Sequence, residues 1–189
     1  MKIIFLNGPP KCGKDFAGEV MRHALYKSKI FKFATVLKIM AHKAFWRGSN
    51  CPCLNGPDAF EKVKDIPNPY FYEKTPRETW IAFSETFIKP LYGKDIWGKI
   101  LLDELQLAIH QDCKFAIITD SGFKEEAQVL IDHFGRDACT LIQIERNDCD
   151  FSNDSRSYLD LDVKTIQLHN PGTSKFITLI KETCKEITS

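Results

Sequence analysis

Short apolar runs alternate along this chain with longer stretches in which apolar positions recur every three or four residues. Ile3-Ile4-Phe5-Leu6 is a continuous apolar run and reads as a strand buried on both faces. A helix is predicted from Phe16 to Tyr26, a short strand over Lys29–Phe33, and helical periodicity from Val36 to Phe45 with Leu37, Met40, Ala41 and Ala44 on one face. Trp46 to Tyr72, with prolines at 52, 67 and 69, carries no period and reads as an irregular insertion. Thr75-Pro76-Arg77-Glu78 has the spelling of a helix start: Thr75 as N-cap, Pro76 at the first helical position and Glu78 completing a capping box. A helix beginning near Asp95 carries Ile96, Trp97, Ile100, Leu101, Leu105 and Ile109. A strand at Lys114–Thr119, a helix at Lys124–Phe134, a strand at Thr140–Glu145, a polar stretch at Arg146–Asp160, a strand at Lys164–Leu168 and a helix at Thr173–Ile187 complete the order. Strands alternating with helices imply an α/β fold, a mostly parallel central sheet with helices on both faces.

The turn after the first strand changes this from a fold expectation to a chemical one. Gly8-Pro9-Pro10-Lys11-Cys12-Gly13-Lys14 has the form G-x-x-x-x-G-K between a strand and a helix. In that context backbone N–H groups and the helix N-terminus make a concave positive end for phosphate, and Lys14 adds a point charge. The residue after the lysine is usually Ser or Thr, whose hydroxyl joins an Mg²⁺ shell. Here it is Asp15, a hard oxygen ligand, followed by Phe16.

Composition adds bounds. At 189 residues with a net charge of +1, the chain is expected to form one domain, 1–189, with no overall field for nucleic acid or an anionic membrane. No apolar run reaches membrane-span length, and the N-terminal residues run straight into the phosphate loop, so a cytoplasmic location is expected. The seven cysteines are read as free thiols. Cys51-Pro52-Cys53 supplies half of a zinc pattern without a second pair; Cys12 is read as a small residue tolerated inside the loop and sensitive to oxidation, where Lys14 and the helix start would pull its pKa down.

Phe115-Ala116-Ile117-Ile118-Thr119-Asp120 is an apolar strand ending in a carboxylate. Asp120 there serves an Mg²⁺ shell, orients an acceptor, or caps the next helix, three roles that look alike in sequence. Arg77 stands in the first turn of its helix, and Arg146 and Arg156 flank the polar stretch, as anion-binding arginines or as solvated ones. Phe33, Trp80, Phe83, Trp97 and Phe123 are faces for a nucleobase or core residues.

Taken in order, the Gly13-Lys14-Asp15 form of the loop, Phe33-Ala34-x-x-Leu37-Lys38, Thr75-Pro76-Arg77-Glu78, Gly93-Lys94-Asp95-Ile96-Trp97, Asp120-Ser121-Gly122-Phe123-x-x-Glu126, Arg146, the Asp154-Ser155 region and His169-Asn170-Pro171-Gly172 resemble the phage-type deoxynucleoside monophosphate kinases, adenylate-kinase-like members of the P-loop kinases. The resemblance runs nearly end to end. It implies a P-loop kinase fold with an acceptor-binding insertion at 47–74 and a lid at 146–160. It implies ATP phosphates on Gly8, Pro9, Pro10, Lys11, Cys12, Gly13, Lys14, Asp15 and Phe16, and Mg²⁺ held by Asp15 and Asp120. It further implies an acceptor deoxynucleoside monophosphate near Phe33, Lys38, Arg77, Trp97, Asp120, Phe123, Glu126 and Arg156, with Lys14, Arg77, Asp120 and Arg146 catalytic. The role implied is phosphoryl transfer that supplies viral DNA precursors. Three departures accompany it: Phe16 where many relatives have Thr, Gly122 where many have Arg, and Arg156 near the place of a family histidine. Arg136, Arg146 or Lys124 is expected to replace a clamp lost at Gly122. Another small-molecule kinase, of the phosphomevalonate-kinase type, and a non-catalytic nucleotide-binding protein remain alternatives. The pattern also leaves a homodimer open, since an apolar helix face that packs on a second copy reads like core.

Overall fold

Five strands pair in the order β2-β3-β1-β4-β5, every pair parallel. The computed structural model describes residues 1–45, 59–152, 154 and 156–188. β1 is Lys2–Asn7, β2 Ser28–Phe31, β3 Phe115–Ile118, β4 Cys139–Glu145 and β5 Lys164–His169. The helices are α1 (Lys14–Ala24), α2 (Ala34–Phe45), α3 (Pro76–Ala82), α4 (Lys89–Tyr92), α5 (Ile96–His110), α6 (Lys124–Phe134) and α7 (Lys175–Thr188). The predicted elements are present with bounds shifted by one to two residues. Cys51, Cys53, Arg47 and most of the first half of the expected insertion lie outside the described residues.

The period of two along the strands divides the core into two layers. Ile3 and Phe5 of β1, Ala116 and Ile118 of β3 and Leu141 of β4 pack with α2, α3, α5 and α6. The intervening Ile4, Leu6, Ile117, Ile142 and Ile144 pack with Ala17 and Met21 of α1 and Phe176, Ile180 and Ile187 of α7. Helices therefore cover both faces. Ile3, Ile4, Phe5 and Leu6 are fully buried, as a continuous apolar run in a parallel sheet requires.

The capping box at α3 forms as expected. The Glu78 N–H donates to Thr75 Oγ1 at 3.0 Å, and the Thr75 N–H donates to Glu78 Oε2 at 2.8 Å. The sequence pattern did not extend this helix, yet helical backbone continues through Phe83–Ile88 into α4 as a π-helical segment. The Lys89 N–H reaches the carbonyl of Ser84, five residues back. Pro90 explains the wider turn, because its ring has no N–H and crowds the carbonyl four residues earlier.

The inner face of α2 carries a titratable group with no charge partner among the described residues. His42 is 1% exposed and packs among the rings of Phe60, Phe71 and Trp80. The Trp80 indole N–H donates to His42 Nε2 at 3.1 Å, which leaves the ring proton on Nδ1, where no acceptor stands among the described residues. Burial, then the nearby Lys38 charge, holds the imidazole down at about 4 from its usual 6.5.

The folded state thus refuses a proton that the unfolded chain takes up. Stability from this site is complete above pH 6.5 and is lost as the pH falls through about 4, a change of up to about 3 kcal/mol. Denaturant titrations of wild type and His42→Gln between pH 8 and pH 4 should show a steeper acid loss in wild type; parallel pH profiles would refute the assignment.

Candidate functional site

All five strands point their C-terminal ends to one edge, and the chain crosses from β1 to α1 there. Crevices at this edge are where open parallel sheets bind ligands. The turn is tightly wedged. Gly8 has φ of 155° and Gly13 of 109°, both positive. A Cβ on Gly8 would stand 2.3 Å from the Ile144 carbonyl oxygen and 2.8 Å from Cys12 Sγ, and one on Gly13 would stand 2.7 Å from Asn170 Nδ2. Only glycine fits both places. Lys11 also lies at positive φ, 65°.

Asn170, after β5, fixes the far side of the turn. Its side-chain amide donates to the Cys12 carbonyl at 2.8 Å, its Oδ1 accepts from the Gly172 N–H at 2.8 Å, and its own N–H donates to the Glu145 carbonyl at 2.7 Å. Asn7 does the same at the end of β1. It donates to the carbonyls of Ser121 and Ser157 and accepts from the Leu159 N–H, tying β1 to the loop after β3 and to the returning polar stretch. The sequence reading missed Asn7 as a site residue, and it named Asn170 only within a resemblance motif. An Asn closing an apolar strand is the signal that was available for Asn7; the mostly polar strand before Asn170 offered none.

α1 starts without a side-chain cap, so its first N–H groups are open to an anion. Lys14 Nζ donates to the carbonyls of Gly8 and Pro9, both at 2.6 Å, folding back over the concave side of its own turn. Burial lowers the Lys14 pKa, opposed chiefly by Cys12, while Arg156 lowers it and Asp15 and Asp154 raise it. The pull of Lys14 on the Cys12 pKa does not prevail. The thiol is fully buried and burial raises its pKa, outweighing Lys14. Phe16 is half exposed and stacks on Phe176 at 6.2 Å.

Asp15 and Asp120 face different partners. Asp15 Oδ1 accepts from the Thr119 hydroxyl at 3.2 Å and stands 3.4 Å from Lys32 Nζ. Asp120 accepts the N–H groups of Phe33 and Ala34 at 2.9 and 3.0 Å, so it caps the start of α2 rather than the helix that follows it in sequence. Burial raises its pKa; the Ala34 and Phe33 bonds, then Lys38 and Lys32, oppose that. No cluster of three or more His, Cys, Asp or Glu side chains placed to hold a metal occurs among the described residues. Asp15 beside Thr119 is nonetheless an oxygen pair suited to Mg²⁺, an ion that takes one or two protein oxygens with phosphate and water.

Of the residues expected beside an acceptor, Phe33 and Trp97 are core residues, 4% and 2% exposed. The Trp97 indole N–H donates to Ser84 Oγ at 2.9 Å. Phe123 is partly exposed, with Lys89 Nζ 3.8 Å above its ring. Lys89 also reaches Glu85 at 2.9 Å and the buried Glu126 at 3.2 Å. Burial pushes the Glu126 carboxyl up to about 8; Lys89 pulls it down and Asp120 pushes it further up. Glu85 and Lys89 were not foreseen, because a Lys-Pro pair inside an unrecognised helix reads as a loop. Lys38 bonds Glu61 at 2.9 Å and lies over Trp80.

Arg77 donates to Asp65 at 2.6 Å, and Arg146 pairs with Asp148 at 2.7 Å. Arg156 pairs with Asp154 and lies against Gly122. Asp154 and Arg156 act electrostatically on Lys14, Arg77 acts on Asp154, and Asp120 and Glu126 act on Arg156. Arg136 is not among them. It pairs with Asp162 at 2.7 Å beside a cavity of about 440 Å³ that is also lined by Lys2, Cys139 and Lys164. Those three residues begin β1, β4 and β5, so Arg136 stands at the opposite edge and cannot supply the expected clamp.

No protein-family model matches the sequence, and no curated protein matches it at a significant level. No helix among the described residues is long and apolar enough to cross a membrane.

Asp120→Ala would strand two N–H groups at the start of α2, a loss of about 2–3 kcal/mol. Urea titration should register it with ligand absent, and a change below about 0.5 kcal/mol would rule out the capping role.

Proposed function

We propose that the chain is an ATP-dependent kinase of small phosphate acceptors, with a deoxynucleoside monophosphate as the acceptor that the sequence resemblance favours. The observation that carries this reading is the wedged turn from Gly8 to Gly13, with Lys14 at the uncapped start of α1, on the C-terminal edge of an all-parallel sheet. The turn and the helix start would hold phosphate oxygens with backbone N–H groups. Lys14, already folded over the concavity, would exchange two carbonyl partners for phosphate oxygens.

Asp15 and Thr119 are the residues that would hold Mg²⁺, which neutralises charge as it develops on the phosphates. Thr119, directly after β3, then offers a hydroxyl in place of the one missing after Lys14. Asp120 acts one step removed. By capping α2 it sets the position of Phe33 and Lys38 beside the acceptor. An oxygen of the acceptor's 5′-monophosphate would attack the γ-phosphorus as the β–γ bridging bond breaks and ADP leaves. That oxygen is already ionised, so positioning and charge neutralisation suffice and no strong base is needed.

The test is ADP release with ATP and Mg²⁺ against the common ribo- and deoxynucleoside monophosphates, with phosphomevalonate included. Turnover on one or a few deoxynucleotides, falling by at least a hundredfold in Lys14→Ala, is the expected result. Turnover confined to a different acceptor would replace the acceptor class. Silence throughout, with ATP still bound, would overturn the catalytic reading.

A further inference from the structure

We propose that Gly122 is the seat of Arg156 and that Asp154 holds the Arg156 guanidinium ready for the phosphate of the acceptor, which takes the carboxylate's place. The identity of that phosphate rests on the kinase reading above; the seat and the clamp do not.

Gly122 follows β3 and is buried, yet it is not among the glycines with positive φ, so backbone conformation does not explain it. Space does. A Cβ at 122 would lie 2.2 Å from Cδ and 2.8 Å from Cγ of Arg156. These are mid-chain atoms, and moving them re-aims the whole side chain. The arginine stem therefore lies flat on the glycine backbone, and any side chain at 122 would displace it.

So seated, the guanidinium is gripped from one side. Nε donates to Asp154 Oδ1 at 2.7 Å and Nη2 to Oδ2 at 2.5 Å, while the Arg156 backbone N–H adds a third bond to Oδ1 at 3.0 Å. Two parallel N–H···O bonds to a pair of oxygens are the geometry with which arginine also binds phosphate. The pair spans only two residues, so the exchange needs no movement of a helix or strand. Lys14 and Arg77 act electrostatically on the same Asp154. An arriving dianion would thus meet Arg156 with one carboxylate to displace, inside a field to which Lys14 and Arg77 add positive charge.

The probe is phenyl phosphate, a simple monoester, titrated calorimetrically into wild type, Gly122→Ala, Arg156→Gln, Asp154→Asn and the double variant Gly122→Ala/Arg156→Gln. Each of the first two substitutions should weaken binding about tenfold or more, and the double variant should bind no worse than Arg156→Gln alone. Asp154→Asn should tighten binding several-fold. Additive losses, unchanged binding in Gly122→Ala, or a wild type that does not bind the monoester would overturn the clamp. Should Gly122→Ala prove unstable, Gly122→Ala/Arg156→Ala should recover its melting temperature, because removing the stem frees the space. No recovery would overturn the seat. In the ADP-release assay the losses should fall on the KM of the acceptor and leave the KM of ATP unchanged. Silence on every acceptor with the binding pattern intact would sink the kinase reading and leave the clamp standing. Turnover whose acceptor KM ignores Arg156 would do the reverse.

Discussion

The structure depends on a backbone contact: the turn after β1 is pressed between the end of β4 and the segment following β5, with no room for a side chain at either glycine. That fit fixes where α1 begins, and the start of α1 fixes the positions of Lys14 and Asp15. Parallel pairing on both edges of β1 makes the wedge possible, because it brings the ends of β3 and β4 level with the turn. Asn7 and Asn170 then convert proximity into order. Each buried amide satisfies backbone groups from segments distant in sequence that would otherwise be left without partners.

Charge is treated differently in the two halves of the site. Around the turn, cations and anions are partly open and pair loosely, as Asp15 does with Lys32. Between α4 and α6, Lys89 and Glu126 are enclosed, and the burial that raises the Glu126 carboxyl also makes the pair costly beside two apolar residues of the same size. The π-helical segment that leads into the lysine carries its other partner, Glu85, and such segments gather at functional positions. This polar enclosure sits behind Phe123 and within electrostatic reach of Asp120 and Arg156, which makes it part of the same edge.

Local spelling carried most of the architecture. The run at residues 3–6, the capping box at Thr75 and the spacing of Gly8, Gly13 and Lys14 each encode a short-range requirement, and each element formed where the pattern put it. What escaped depended on contacts between distant segments. Nothing around Asp120 says that its carboxylate reaches back to the N–H groups of residues 33 and 34, since that follows from β2 and β3 being neighbours. The direction of the Cys12 pKa was out of reach for a similar reason: a nearby lysine is visible in sequence, whereas complete enclosure is not. The fate of Arg136 was decided by strand direction, which sets the start of β4 a full strand length away from the turn.

That enclosed thiol has a practical consequence. Cys12 lies under the turn with Lys14 folded above it, so a solvent-borne alkylating reagent meets it only when the turn opens. The rate at which Cys12 is labelled is therefore a clock for the breathing of the turn after β1, carried by the chain itself. Any ligand that settles on the turn should slow that labelling, turning a buried cysteine into a gauge of occupancy.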